Sequence, residues 1–158
     1  MSRALAVLAL VSATAAMPSH PAQASPCAGA AAFAATLSLR AIVDPDTLDD
    51  WRTRQRTPGC RVTAAGLTDI GIAREAVRFY ERVRAAGWVR TPDPMDSPNE
   101  SSLRFRRDDA DCLFNVYAGP LLDTDAENTV STAFTPRPGE LVYHVLALCV
   151  PARPAAPR

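Results

Sequence analysis

The fold of the chain is decided by residues 68–90, which read TDIGIAREAVRFYERVRAAGWVR. On a helix over about 70–86, apolar and charged side chains separate onto opposite sides. The predicted buried arc holds Ile72, Ala73, Ala76, Val77, Phe79, Tyr80 and Val83. The predicted solvent side holds Arg74, Glu75, Arg78, Glu81 and Arg82. A helix with one apolar side must pack against a second layer.

The sequence carries a start signal and a stop signal for this helix. Thr68 or Asp69 is the predicted N-cap, because short oxygen-bearing side chains accept the first free N–H groups. Gly87 followed by Trp88 predicts a Schellman ending, in which the glycine turns left-handed and the tryptophan folds back on the last turn.

The segments around the helix predict the second layer. Strands are expected at 60–64, 88–90, 102–107 and 112–117, and the nearly continuous apolar run at 141–150 is typical of a central strand. We therefore expect an α+β fold, with one amphipathic helix packed on an antiparallel sheet in two layers and braced by disulfides. In topology alone, this layout resembles cystatin-like folds.

The remaining segments divide the chain into four parts. Residues 1–24 form a predicted signal peptide, 25–59 a helical or irregular segment, 60–150 the α+β domain and 151–158 a proline-rich tail. Within the second part, either a helix at 28–37 or a loosely ordered terminus is expected. A short helix is expected from Asp46 or Thr47 towards Arg56. Residues 129–135 are either a strand or the end of a helix that begins near Asp123.

The first 24 residues have the features of a secretory signal. Arg3 precedes an apolar run at 5–16, and Ala22-Gln23-Ala24 is the small-x-small pattern before a cleavage site. Twelve apolar residues reach about 18 Å as a helix, short of a ~30 Å hydrocarbon core. We expect a periplasmic or secreted protein that begins at Ser25, with no membrane span after cleavage.

The exported chain keeps four cysteines: Cys27, Cys60, Cys112 and Cys149. An even number predicts two disulfides, and the lack of a close pair argues against structural zinc. Counting alternate strand directions, with one descending segment before 141–150, puts Cys149 at the opposite end from Cys60 and Cys112. Bridged Cα atoms lie within about 7 Å. The predicted pairs are therefore Cys60–Cys112 and Cys27–Cys149.

The sequence offers little for catalysis or metal binding. His144 is the single histidine after the signal segment, and it sits in the middle of a predicted strand. Asp123, Asp125 and Glu127 resemble the start of a calcium loop, but Asn128 and Phe134 occupy the positions that need glycine and glutamate. Asp108, Asp109 and Asp111 fit a hairpin turn. We expect no metal and no cofactor.

Two clusters of arginine are the charged candidates for a binding surface, in a chain with no lysine. Arg74, Arg78 and Arg82 are spaced as one helical stripe, and Arg104, Arg106 and Arg107 cluster on the predicted hairpin. Either cluster could contact a small anionic ligand or an acidic protein partner. A solvated surface, in a chain whose basic residues are all arginine, is the favoured explanation of both clusters.

The balance of basic and acidic residues argues against a nucleic-acid-binding protein. The 158 residues carry 17 basic and 17 acidic groups, so no overall field attracts nucleic acid. The sequence predicts a small, exported, non-catalytic binding or interaction module whose partner it does not identify. The alternative is a small periplasmic hydrolase or lyase that uses His144 with a carboxylate of the sheet.

Overall fold

The computed structural model describes residues 25–50, 54–91 and 102–152. Within these residues, the elements follow in the order α1 (Ala28–Thr36), β1 (Arg40–Asp50), β2 (Gln55–Thr68), α2 (Ile72–Ala85), β3 (Val89–Arg90), β4 (Ser102–Arg107), β5 (Ala110–Ala118), α3 (Asp125–Ser131) and β6 (Leu141–Pro151). The predicted signal segment, the region 92–101 and the tail beyond 152 lie outside this description.

One antiparallel sheet joins all six strands in the order β1-β2-β6-β5-β4-β3. The α+β class, the antiparallel sheet and the two disulfides are thereby confirmed. β6 lies between β2 and β5, which explains its continuous apolar sequence, since both of its faces are covered. Asp108 and Asp109 form the predicted turn between β4 and β5.

The two faces of the sheet carry different layers. On one face, α1 and α2 bury an aromatic cluster against the strands, formed by Phe33, Phe79, Tyr80, Trp88, Phe105 and Phe114. Successive strand residues alternate between faces, so His144 on β6 and Tyr117 on β5 point the other way. There they meet α3, through Ser131 and Glu127. The third helix thus adds a partial layer to the expected helix-on-sheet arrangement.

The predicted helix is present, but its buried side is rotated. Glu75 is 1% exposed and Val77 is 55% exposed, the reverse of the predicted assignment. The buried stripe centres between Phe79 and Val83, and from that midpoint Glu75 lies about 60° around the axis and Val77 about 140°. Glu75 can be buried because the hydroxyl of Thr68 donates to it at 2.8 Å, so the carboxylate keeps a polar partner.

The ends of α2 agree only in part with the prediction. Gly71 is the N-cap, with a φ of 81° and no side-chain cap among the described residues. Neither Thr68 nor Asp69 serves as N-cap. At the other end, Gly87 has a φ of 86°, and the N–H of Trp88 donates to the carbonyl of Val83. The predicted Schellman ending is confirmed.

The short helix predicted from Asp46 towards Arg56 is wrong. β1 and β2 form a long hairpin through this region, and β2 begins at Gln55, before the expected domain start at residue 60. Pro45 looks like a breaker in the sequence, but a proline fits a strand whose N atom faces away from the neighbouring strand.

The predicted disulfide pairs are also wrong. Cys27 is joined to Cys60, and Cys112 to Cys149. The count of strand directions failed because α3 has only seven residues, about 10 Å, and does not traverse the sheet. β6 therefore starts at the end where β5 stops and runs back beside it, which brings Cys149 directly opposite Cys112.

Candidate functional site

His144 lies in the middle of β6 under α3. Its side chain is 2% exposed, its ring stacks on Tyr117 with centroids 5.4 Å apart, and its Nε2 lies 2.6 Å from Oγ of Ser131. Burial lowers the pKa of His144, and this effect outweighs the nearby charge of Glu127, which raises it. The imidazole is therefore mainly neutral at pH 7.

The proton arrangement around His144 differs from that of a catalytic pair. Oγ of Ser131 donates its proton to the backbone carbonyl of Glu127 at 2.6 Å. A hydroxyl has one proton, so Ser131 has none left to give to His144. Nε2 of His144 therefore carries the proton of this hydrogen bond and donates it to Oγ of Ser131. Nδ1 of His144 has no hydrogen-bond partner among the described residues, whereas a triad uses a carboxylate there to orient the ring.

The acidic stretch at 123–127 serves the start of α3. Thr124 and Glu127 form a capping box, and the carboxylate of Glu127 accepts N–H groups from Leu121 and Leu122. Desolvation of this fully buried carboxyl group raises its pKa. The hydrogen bonds from these N–H groups, from Thr124 and from Tyr117 together lower the pKa by more than desolvation raises it, so the net shift is downward. Glu127 is thus an internal anchor of α3.

Arginines on α2 are partly engaged within the helix. Nε of Arg74 donates to the carbonyl of Ile70 at 2.7 Å. Arg78 pairs with the buried carboxylate of Glu75, which also interacts with the phenol of Tyr143. Arg78 therefore neutralises a buried charge.

Arg104 and Arg106 of β4 point to the opposite face of the sheet, whereas Arg107 lies on the face of α2, with its guanidinium carbon 6.0 Å from the ring centroid of Trp88. Arg106 forms a bidentate pair with Asp111 on β5, at 2.7 and 2.8 Å. Arg104 and Arg106 share the face that carries α3, whereas Arg74, Arg78 and Arg82 belong to α2 on the other face. The two clusters therefore do not form one surface. An anionic ligand or acidic partner at either cluster stays a prediction.

The outer edge of β1 is the largest open backbone feature of the described sheet. Cys112 and Cys149 face each other with Cα atoms 4.1 Å apart, the close spacing of a non-hydrogen-bonded pair. Because the two pair types alternate, Cys149 directs its N–H and C=O towards Cys60, and Pro45 opposite Cys60 directs its own groups outward. Pro45 has no N–H, so this position loses no ladder bond.

The same alternation identifies which other groups of β1 face outward. Ala41 and Val43 each direct an N–H and a C=O away from β2, and no described strand pairs with this edge. Thr47 also faces outward, but Oδ1 of Asp46 accepts its N–H at 2.7 Å. The first half of β1 is consequently open to pairing, while Pro45 and Asp46 blunt the second half.

Two open grooves lie between this edge and α3, one towards each end of the helix, and Thr129 lines both. The first, about 450 Å³, is lined by Ile42, Asp44, Arg61, Asp125 and Thr129, among others. The second, about 480 Å³, is lined by Leu39, Arg40, Thr129, Thr132 and Phe134, among others. Arg40, Ile42 and Asp44 alternate along β1 on the side of these grooves, so an added strand would place its own alternate side chains beside them.

Sequence reasoning missed this site because it assigned no element to residues 40–45 and predicted a helix from Asp46 or Thr47, where β1 continues. One signal was available: Ala41-Ile42-Val43 is a short apolar run followed by Asp44 and Pro45, the pattern of an edge strand. Among the described residues, no group of three or more histidine, cysteine, aspartate or glutamate side chains is arranged to hold a metal. None of the described helices has the length and apolar character needed to cross a membrane.

Comparison with known proteins finds no relative of this chain. No protein-family model matches the chain, and it has no significant match among curated proteins or among solved structures. The fold and the site define a disulfide-braced α+β domain with one half-open sheet edge.

Proposed function

We propose that the chain is a small exported interaction module that binds another polypeptide without catalysing a reaction, and that the open half of β1 is its binding element. The observation that carries the proposal is the outward N–H and C=O of Ala41 and Val43 beside two grooves. In strand addition, backbone hydrogen bonds supply affinity and pockets for alternate side chains supply specificity.

The exported location is supported by two observations. The structure has two disulfides, which are typical of oxidising compartments. The sequence adds the signal pattern that ends at Ala24. The exported protein is expected to begin at Ser25, which intact-mass measurement tests; a retained Met1 or an acylated Cys27 would contradict it.

The alternative enzyme has less support. A hydrolase or lyase built on His144 needs an accessible base and an orienting carboxylate. The imidazole of His144 is buried, donates to Ser131 and lacks a partner at Nδ1 among the described residues. The nearest acid is Glu127 of α3, which is engaged with Tyr117 and the 121–124 backbone.

A peptide library tests the binding element directly. The probe is a set of extended peptides in which charged and branched apolar residues alternate. Val43→Pro removes the outward N–H and should abolish binding of every library hit, while the matched Val43→Thr changes the side chain, keeps the N–H and should retain binding. Hits that bind Val43→Pro as well as the parent would show that β1 is not the binding element.

Amide hydrogen exchange supplies a second readout. The N–H groups of Ala41 and Val43 should exchange rapidly in the isolated protein and become protected when a peptide hit is added. The N–H of Ile42, which faces β2, should be protected in both states. Protection that appears elsewhere and spares Ala41 and Val43 would count against the proposal.

A further inference from the structure

We infer that the polypeptide best suited to this edge is β1 of a second copy of the chain, paired antiparallel with Ile42 opposite Ile42. The inference rests on the proposed function, since it uses the same half-open edge. An antiparallel pair of identical strands is related by a two-fold axis, so each contact occurs twice. The two sheets would then continue into one another across the seam.

The backbone groups match in this register. Ala41 faces Val43 of the second copy, and both residues have outward N–H and C=O groups. Residues that meet in this way form a hydrogen-bonded pair and exchange two N–H···O bonds. The two-fold axis repeats the pair on its other side, which satisfies the outward groups of Ala41 and Val43 in both copies.

The side chains match as well. Arg40 faces Asp44 of the second copy on the side that carries α3, and the symmetric contact repeats this ion pair, with the two Ile42 side chains between them. On the other side of the sheet, Val43, which is 47% exposed, packs on Ala41 of the second copy. The edge is therefore complementary to itself in charge and in shape.

Three features restrict the register. At one end of the ladder, Pro45 lacks an N–H; at the other, the N–H of Leu39 is already donated to the carbonyl of Ala34 at 3.1 Å. Centring the pair on Val43 would set Ala41 against Pro45 and lose one donor. Centring it on Asp44 would oppose that carboxylate to itself, which is unfavourable.

Charge reversal provides the decisive experiment. Sedimentation velocity over a series reaching millimolar concentration should show the unmodified protein approaching twice its monomer mass. Arg40→Asp and Asp44→Arg, each alone, set like charges against one another at both contacts and should weaken dimerisation by about tenfold or more. Mixed in equal amounts, the two variants bring opposite charges together and should form a heterodimer.

The control is Arg84→Asp, a charge reversal at an exposed position of α2 on the other face of the sheet, which should leave dimerisation unchanged. Thermal melts show whether each variant is folded. Exchange at Ala41 and Val43 in the unmodified protein needs no variant, and it should slow as concentration rises.

Each contrary outcome has a defined meaning. A monomer at every concentration, or a mixture that fails to associate, would overturn the self-pairing. If library peptides still bind and Val43→Pro still abolishes their binding, the proposed function stands and only its partner is wrong. If neither peptides nor a second copy protects Ala41 and Val43, both proposals fail.

Discussion

The phenol of Tyr117 donates to Oε1 of Glu127 at 2.8 Å and thereby ties α3 to β5. Glu127 is fully buried, and its carboxylate also accepts N–H groups of Leu121, Leu122 and Thr124. The helix of seven residues is too short to be stable by itself. This buried carboxylate therefore holds the start of α3 beside the sheet, while Ser131 and His144 connect its end to β6.

Glu127→Gln should destabilise the protein by roughly 2–4 kcal/mol, because it removes a charge that several donors face and turns an amide N–H₂ towards some of them. Urea unfolding measures the change. Asp125→Asn, at an exposed position in the same first turn, should change the free energy of unfolding by less than about 0.5 kcal/mol. Equal effects would mean that Glu127 is not the anchor of α3.

Stability should fall on mild acidification because of His144. Its pKa is lowered in the folded protein, so below the ordinary value of about 6.5 the unfolded chain binds a proton that the folded chain does not. The free energy of unfolding should therefore decrease as pH falls through about 6.5, by at most about 1.4 kcal/mol per pH unit.

Urea titrations between pH 5 and 8 measure this slope. His144→Gln cannot titrate and should flatten the profile in that range. At lower pH, stability should fall again in both proteins, because Glu127 has a lowered folded-state pKa and loses its contribution when it is protonated. A slope that persists near pH 6 in His144→Gln would assign the effect to another group.

Two valines on α2 form a matched pair. Val83 is fully buried and Val77 is 55% exposed. Val83→Ala should cost roughly 1.5–3 kcal/mol through lost burial and the cavity left behind. Val77→Ala should lie within about 0.5 kcal/mol of the parent, because alanine also has the higher helix propensity. Similar losses for the two variants in thermal melts would instead support the buried face predicted from sequence, which holds both valines.

Peptide mapping without reduction should recover one fragment that joins Cys27 to Cys60 and another that joins Cys112 to Cys149. Replacing both members of either pair by alanine should cost up to about 4 kcal/mol on the chain-entropy model, since the sequence separations of 33 and 37 residues are similar. A fragment joining Cys60 to Cys112 would contradict the strand order of the sheet.

Local sequence signals located most of the elements. Periodicity predicted α2 almost to its ends, alternation predicted β4, the polar turn before Cys112 predicted β5, and a nearly continuous apolar run predicted β6. Local rules failed where tertiary contacts decide the outcome. Nothing in the sequence around Glu75 indicates that Thr68 will donate to its buried carboxylate or that Arg78 will pair with it from the surface.

The open edge of β1 shows the same limit. Pro45 ends a helix or a central strand, but not an edge strand whose nitrogen faces outward. Which nitrogen faces outward depends on the pairing of β2, β6 and β5, three strands from distant parts of the chain. The candidate site could therefore be found only after the sheet was assembled.

The order of the cysteines bears on how the protein matures. The chain joins its first cysteine to its second and its third to its fourth. A polypeptide that crosses a membrane with its N-terminus first would present Cys27 and Cys60 to an oxidase before Cys112 emerges. On the proposed export route, joining cysteines as they appear gives the native connectivity, so maturation would need an oxidant but no step that reshuffles bonds. Cys149 lies between Cys60 and Cys112 in the sheet, and once Cys60 is bonded to Cys27 only Cys112 is left for it.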